Sequence, residues 1–210
     1  MTAGAVRRAK AAASGVLRRR RLPAHLRAVD RIEGMISLRE ADLLYRLAAR
    51  ANGCGCIVEI GSYRGRSTVA LAEGARASAI FAIEPHETFE GVLGGSFGAR
   101  DRAHFYRAML RSEAYERVRL VNLPGRVVAP GWSEPVALLW IDGDHSYEGV
   151  RGDWEAFKPH LAAGALVAFD DSIDERIGPH RLIAELVESR ELTIVERVDK
   201  VTALRRPAAI

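Results

Sequence analysis

Cysteine is almost missing from this chain of 210 residues: Cys54 and Cys56 are the only two, one glycine apart. A Cys-x-Cys pair without further cysteine makes a poor zinc site and a poor disulfide. That excludes a disulfide-stapled scaffold and points to a reducing, cytoplasmic compartment. Glycine and proline, at 19 and 8 residues, are too few for a low-complexity chain. No apolar run approaches the roughly 20 residues of a membrane-spanning helix. The best candidate, Val136 to Ile141, is the length of a strand. A secretory signal is also lacking, because no apolar segment and cleavage site follow the basic start. Acidic residues are absent from residues 1–27, which hold eight basic ones: Arg7, Arg8, Lys10, Arg18, Arg19, Arg20, Arg21 and Arg27. Without them, 23 basic residues face 27 acidic ones, so the rest of the chain carries about −4 against the formal +4 of the whole. The basic character belongs to an arm, and no nucleic-acid-binding face is expected.

What is present is the composition of one packed domain, 48% hydrophobic and 28% charged. Residues 1–36 read as a basic arm or helix, with a weak apolar stripe at Val6, Ala9, Ala13, Val16 and Leu17. Such an arm suits an anionic surface or a partner subunit. Residues 37–210 read as the domain proper. Ser37 with Glu40 three residues on is a capping box for a helix reaching Arg50. The spacing then predicts strands at Cys56–Ile60, Ala79–Ile83, Val118–Asn122, Val136–Asp142 and Ala165–Phe169. Helices are predicted over Ser67–Ala75, Ala103–Glu116, Tyr147–Leu161 and Pro179–Arg190. The glycine-rich stretch His86–Asp101 reads as a short helix with a mobile loop. Leu192–Val198 and Val201–Arg205 read as a closing hairpin. Alternating strands and helices mean a parallel sheet covered on both faces, and the unbroken apolar strands agree. The expectation is an α/β fold, a seven-stranded mostly parallel sheet with the hairpin adding an antiparallel strand at one edge.

Ligands of such sheets bind at the carboxyl ends of the strands. Those ends carry Glu59, Gly61, Ser62, Tyr63 and Ser67 from the first strand and turn, then Glu84, then Asp142 to His145, then Asp170 and Asp171. The first turn has Gly61 and Gly65 as G-x-x-x-G, not the G-x-G-x-x-G that admits a pyrophosphate. Gly61 lets a zwitterionic ligand lie over the strand end, and the helix start with Ser67 suits a carboxylate. Glu84, 23 residues past Gly61, is placed to accept both ribose hydroxyls. A nucleoside carrying an amino acid fits, which is S-adenosylmethionine; a plain tight turn is the bland alternative. Asp142, Asp170 and Asp171 side by side repel unless a cation or proton neutralises them. Hard oxygen ligands select magnesium, manganese or calcium over zinc, unless one of the pair simply caps the next segment. His145 stands beside these acids as a candidate base near neutral pH, and His86 as a candidate substrate contact.

The segments Ile57-Val-Glu-Ile-Gly-Ser-Tyr-Arg-Gly-Arg-Ser-Thr68, Glu84, Ile141-Asp-Gly-Asp-His-Ser-Tyr147 and Phe169-Asp-Asp171 together resemble class I S-adenosylmethionine-dependent methyltransferases. Within that group they look most like the metal-dependent O-methyltransferases, and among these the sugar branch acting on macrolide sugars and polysaccharides. The likeness spans about residues 38–206. It implies a Rossmann-like fold, with Gly61 and Tyr63 at the methionine part, Ser67 at its carboxylate and Glu84 at the ribose. By the same resemblance Asp142, Asp170 and Asp171 hold Mg2+ or Mn2+ and His145 is the general base, where catechol-type relatives carry lysine. Those relatives also have asparagine where this chain has Asp171. Asn122–Arg126 is the candidate adenine wall. The implied acceptor is a sugar or oligosaccharide hydroxyl, in a homo-oligomer such as a dimer. A catechol or phenol acceptor is the alternative, and a nicotinamide-dependent oxidoreductase a more remote one.

Overall fold

The computed structural model describes residues 22–207; the stripe expected on Val6–Leu17 lies outside them. The first helices among the described residues are α1 (Ala24–Val29) and α2 (Leu38–Ala51). The capping box at α2 is formed: Ser37 Oγ accepts the Glu40 N–H at 3.1 Å, and Glu40 Oε2 accepts the Ser37 N–H at 2.6 Å. Helix α2 buries Leu43, Leu44 and Leu47, and the segment before it adds Leu26, Val29, Ile32 and Ile36 to the same core.

From there strands and helices alternate: β1 (Cys56–Ile60), α3 (Arg66–Gly74), β2 (Ile80–Ile83), a ribbon of β3 (Phe89–Glu90) and β4 (Ser96–Phe97), then α4 (Ala99–Ser112). There follow β5 (Val118–Val121), the short α5 (Gly125–Val128), β6 (Val136–Ile141), α6 (Tyr147–Phe157), β7 (Leu161–Phe169), α7 (Gly178–Glu188), β8 (Thr193–Val198) and β9 (Val201–Arg205). The main sheet has seven strands in the order β5-β2-β1-β6-β7-β9-β8. β1, β2, β5, β6 and β7 run parallel, and β9 is antiparallel to both β7 and β8. All residues of β1 and β6 are buried, as central parallel strands require. One hydrophobic cluster lies under α1 to α4 and includes Trp140; another lies under α6 and α7 and includes Trp154.

The terminal hairpin lies at one edge of the sheet as expected: β9, with Val201 to Leu204 buried, is antiparallel to β7 and sits between it and the mostly exposed outermost strand β8. The hairpin partner with the deeper apolar run takes the inner position, since an inner strand is covered on both faces. The stretch His86–Asp101 holds no separate short helix. It folds as the β3–β4 ribbon, turned by Gly94 and Gly95 at φ +86° and +97°, conformations that glycine adopts without steric cost. Helix α4 starts at Ala99, four residues before the expected start. The Asp101 carboxylate accepts the Gly98 N–H at 3.0 Å and closes that first turn, which an apolar-period reading does not detect.

Candidate active site

The carboxyl ends of β1, β2, β6 and β7 open into one cleft of about 350 Å3. At its centre β1 and β6 end almost in contact. Gly61 has φ +85°, and a Cβ there would lie 2.0 Å from the Asp142 carbonyl oxygen. Only glycine fits, and the close approach sets the end of β6 against the turn that follows β1. Ser62 and Tyr63 continue along the cleft wall. The Ser62 hydroxyl is buried with no hydrogen-bond partner among the described residues, a donor left free for a ligand.

Glu59 is displaced from the role expected of it. Its side chain is fully buried, and the Ser67 and Thr68 hydroxyls donate to its two oxygens, each at 2.5 Å. It fastens the first turn of α3 to β1 from below the cleft and does not line it. Burial pushes its pKa up to about 8, against the two hydroxyl donors, which lower it. The same bond takes the Ser67 hydroxyl proton. What α3 offers a carboxylate in the cleft is therefore its positive amino end rather than that hydroxyl.

Glu84 lines the cleft at the end of β2, held by backbone: Oε2 accepts the Tyr63 N–H at 3.1 Å and Oε1 the His86 N–H at 3.0 Å. His86 does not match its expected substrate contact. It is buried at φ +53°, away from the cleft wall. Its Nδ1 accepts from Asn122 Nδ2 at 3.0 Å, so its Nε2–H donates to the Tyr63 carbonyl at 3.0 Å. Asn122 also donates to the Glu84 carbonyl at 2.8 Å. His86 and Asn122 thus brace the loops on either side of Glu84. Pro124, Gly125 and Arg126 reach the cleft as expected, and Asp153 of α6 joins them. Burial and then the nearby Asp144 push the Asp153 carboxyl up to about 7, with Arg126 opposing.

The acidic cluster is assembled, with an added member. Oxygens of Asp142 and Asp170 and a ring nitrogen of His145 lie within 4.8 Å of one another. The predicted third ligand, Asp171, stands aside: at φ +46° it turns Oδ1 onto Lys200 Nζ at 3.1 Å. Lys200 Nζ also donates to Asp170 Oδ2. The remaining Asp170 oxygen, Oδ1, is buried with no partner among the described residues. Burial and Asp142 raise the Asp170 carboxyl well above the ordinary carboxylate range, with Lys200 opposing. Burial lowers the Lys200 ammonium, but its attraction to Asp170 and the other aspartates outweighs this and raises it.

His145 sits between the acids, Nε2 at 3.5 Å from Asp142 Oδ1 and Nδ1 at 3.7 Å from Asp171 Oδ2. Burial lowers its pKa, and the pull of Asp142 and Asp171 more than reverses this, so the imidazole is raised overall. Its backbone is set by the Gly178 N–H, which donates to the His145 carbonyl at 2.9 Å. Asp144, in the same Asp-Gly-Asp-His turn, serves the loop instead: its oxygens accept the Ser146 N–H and hydroxyl, both at 2.9 Å. Met35, Ile36, Phe89 and Phe97 add apolar side chains to the lining of the cleft.

Sequence reading had no signal for Lys200, which is distant along the chain and sits in a turn. The Asn122 brace was visible only as part of a candidate wall.

Residues 58–172 match the family described as Methyltransferase domain, and the chain belongs to that family. Among solved structures it resembles the O-methyltransferase TomG of Streptomyces achromogenes, in complex with S-adenosylmethionine. The TM-score is 0.64 at 16% identity, over 88% of this chain and 86% of that one. It resembles an O-methyltransferase of Bacillus cereus in complex with S-adenosylhomocysteine at TM-score 0.62 and 18% identity, over 97% and 90% of the two chains. A third likeness, TM-score 0.59 and 20% identity over 79% and 76%, is to CalS11, a TDP-rhamnose 3'-O-methyltransferase of calicheamicin biosynthesis. These likenesses carry the fold. No helix among the described residues is long and apolar enough to cross a membrane.

Proposed function

We propose that this chain transfers a methyl group from S-adenosylmethionine to a hydroxyl of a sugar or oligosaccharide, with Mg2+ or Mn2+ at the acidic cluster and His145 as general base. The observation that carries this is one continuous cleft. Gly61, Ser62 and Glu84 line one part, and Asp142, His145 and Asp170 line the part next to it. The two relatives with S-adenosylmethionine or its product bound support the cofactor. The rhamnose-methylating relative supports a sugar acceptor.

The residues fit a hard divalent ion. Asp142 and the unpartnered Oδ1 of Asp170 supply two carboxylates, and magnesium is commonly held by one or two carboxylates with the rest from water and substrate. Such an ion, held by Asp142 and Asp170, would supply Lewis-acid stabilisation of negative charge developing on the acceptor oxygen. Glu84 would hold the ribose and the amino end of α3 the carboxylate of S-adenosylmethionine, which would supply the methyl group to the cleft that His145 also lines. His145 takes the hydroxyl proton as the carbon–oxygen bond forms and the carbon–sulfur bond breaks. The sulfonium leaves as a neutral thioether. Asp171, 3.7 Å from His145 Nδ1, faces the imidazolium that results. The arrangement acts mainly by orientation, since both reactants must be held in line.

Asp142→Ala is expected to reduce methyl transfer at least 100-fold while leaving S-adenosylhomocysteine affinity within about threefold, because Asp142 contacts the acceptor side. His145→Ala is expected to lower kcat by about 10²–10⁴, the usual worth of a positioned base. Radiolabelled methyl transfer with and without chelator checks both. Full activity of Asp142→Ala in chelator contradicts the mechanism.

A further inference from the structure

Lys200 lies in the β8–β9 turn, 30 residues beyond Asp170, yet its ammonium contacts two acids of the cluster, Asp170 and Asp171. The turn is pinned rather than free. The Lys200 N–H donates to Glu40 Oε1 at 3.1 Å, the same carboxylate that closes the capping box of α2. Its carbonyl accepts both the Ser172 N–H at 2.9 Å and the Ser172 hydroxyl at 2.8 Å. Asp199, beside it at φ +49°, accepts the Ser37 hydroxyl at 2.9 Å and pairs with Arg39 at 2.9 Å. A backbone held from both sides aims the side chain. It is one-quarter exposed, and the Asp170 side chain it meets is 2% exposed. Solvent screens such a contact far less than a surface ion pair.

With Asp142, Asp170 and Asp171 ionised and His145 neutral, the acids bring three negative charges and Lys200 offsets one, so a divalent ion leaves the group neutral. Asp171 bridges Lys200 and His145, with Oδ1 on Lys200 Nζ at 3.1 Å and Oδ2 3.7 Å from His145 Nδ1. We propose that Lys200 is a tethered cation belonging to the metal site: it offsets part of the negative charge of Asp170 and Asp171 and so sets how tightly the divalent ion is held. The inference rests on the divalent-ion reading above. Lys200 acts through the aspartates and is a positioning residue.

The test is Mn2+ binding to the full chain by calorimetry, for the wild type, Lys200→Met, Asp171→Asn and the double variant. Lys200→Met removes the cation shared by Asp170 and Asp171 and leaves one more negative charge uncompensated, so Mn2+ should bind at least tenfold tighter. Asp171→Asn leaves the ammonium to bear on Asp170 alone, so Mn2+ should bind at least threefold weaker. The double variant restores the charge of the wild type and should return to within about threefold of it. Simple loss of packing would not produce that reversal. Unchanged or weaker binding in Lys200→Met, with wild-type S-adenosylhomocysteine affinity retained, overturns the role of Lys200 and leaves the metal site standing. If Lys200→Met does not fold, Asp171→Asn decides alone: unchanged or tighter binding overturns the role. Absence of Mn2+ binding in the wild type and every folded variant overturns the metal reading and this inference with it.

Discussion

Two buried hydroxyls and one buried carboxyl, Ser67, Thr68 and Glu59, fasten the start of α3 to β1. With the Glu59 pKa near 8 in the fold, the unfolded chain loses this proton first as pH rises from its ordinary value. Stability is then lost progressively as pH rises toward about 8 and levels off above it. Glu59→Gln should remove that slope and stay within about 1 kcal/mol of the wild type at pH 5. Glu59→Ala should cost about 2–4 kcal/mol, because it strands both hydroxyls without a partner. Urea unfolding at pH 5 and 8.5 checks each; a wild-type slope equal to that of Glu59→Gln contradicts it. Residues at this scale were legible in the sequence where they terminate a strand: Gly61, Glu84, Asp142 and Asp170 all reach the cleft. Glu59 and His86 were misplaced because a polar residue near a strand end can face the cleft or brace it from behind. Composition and spacing do not record which side it faces. In both cases every polar group is already matched within the protein.

At the scale of elements, the amino end of α2 and the β8–β9 turn form one unit through Glu40, Ser37 and Asp199. Glu40 is 2% exposed and accepts two backbone N–H groups. Glu40→Ala leaves both without that partner and should cost about 2–3 kcal/mol, more than the roughly 1 kcal/mol of an exposed cap. It should also loosen Lys200, so Mn2+ affinity should move in the direction of Lys200→Met. Chemical denaturation and calorimetry read the two effects; a loss below about 1 kcal/mol with unchanged Mn2+ binding contradicts this coupling. The capping box itself was visible in the sequence as Ser37 and Glu40. Its second duty was not, since the partner lies 160 residues away. The same limit explains β9. Local pattern shows a hairpin between 192 and 205, whereas its place beside β7 depends on a strand that ends more than 20 residues earlier. The β3–β4 ribbon escaped because its strands are two residues each, too short for any period.

Across the whole molecule, the parallel order of β5, β2, β1, β6 and β7 brings chemistry from distant parts of the chain to one edge. The alternation of apolar strands and helices made that architecture legible, and the strand-end rule located the cleft. The amino-terminal segment is divided: its seven basic residues between 1 and 21 lie outside the described chain, while Leu26 and Val29 pack into the core. The central claim is that the first-strand turn and Glu84 hold S-adenosylmethionine. Calorimetric titration with S-adenosylhomocysteine, on the wild type and on Glu84→Ala, tests it most directly. The expected result is wild-type binding at about micromolar strength, about −8 kcal/mol, and at least tenfold weaker binding in Glu84→Ala. Absence of binding in the wild type, or equal binding in Glu84→Ala, contradicts the account.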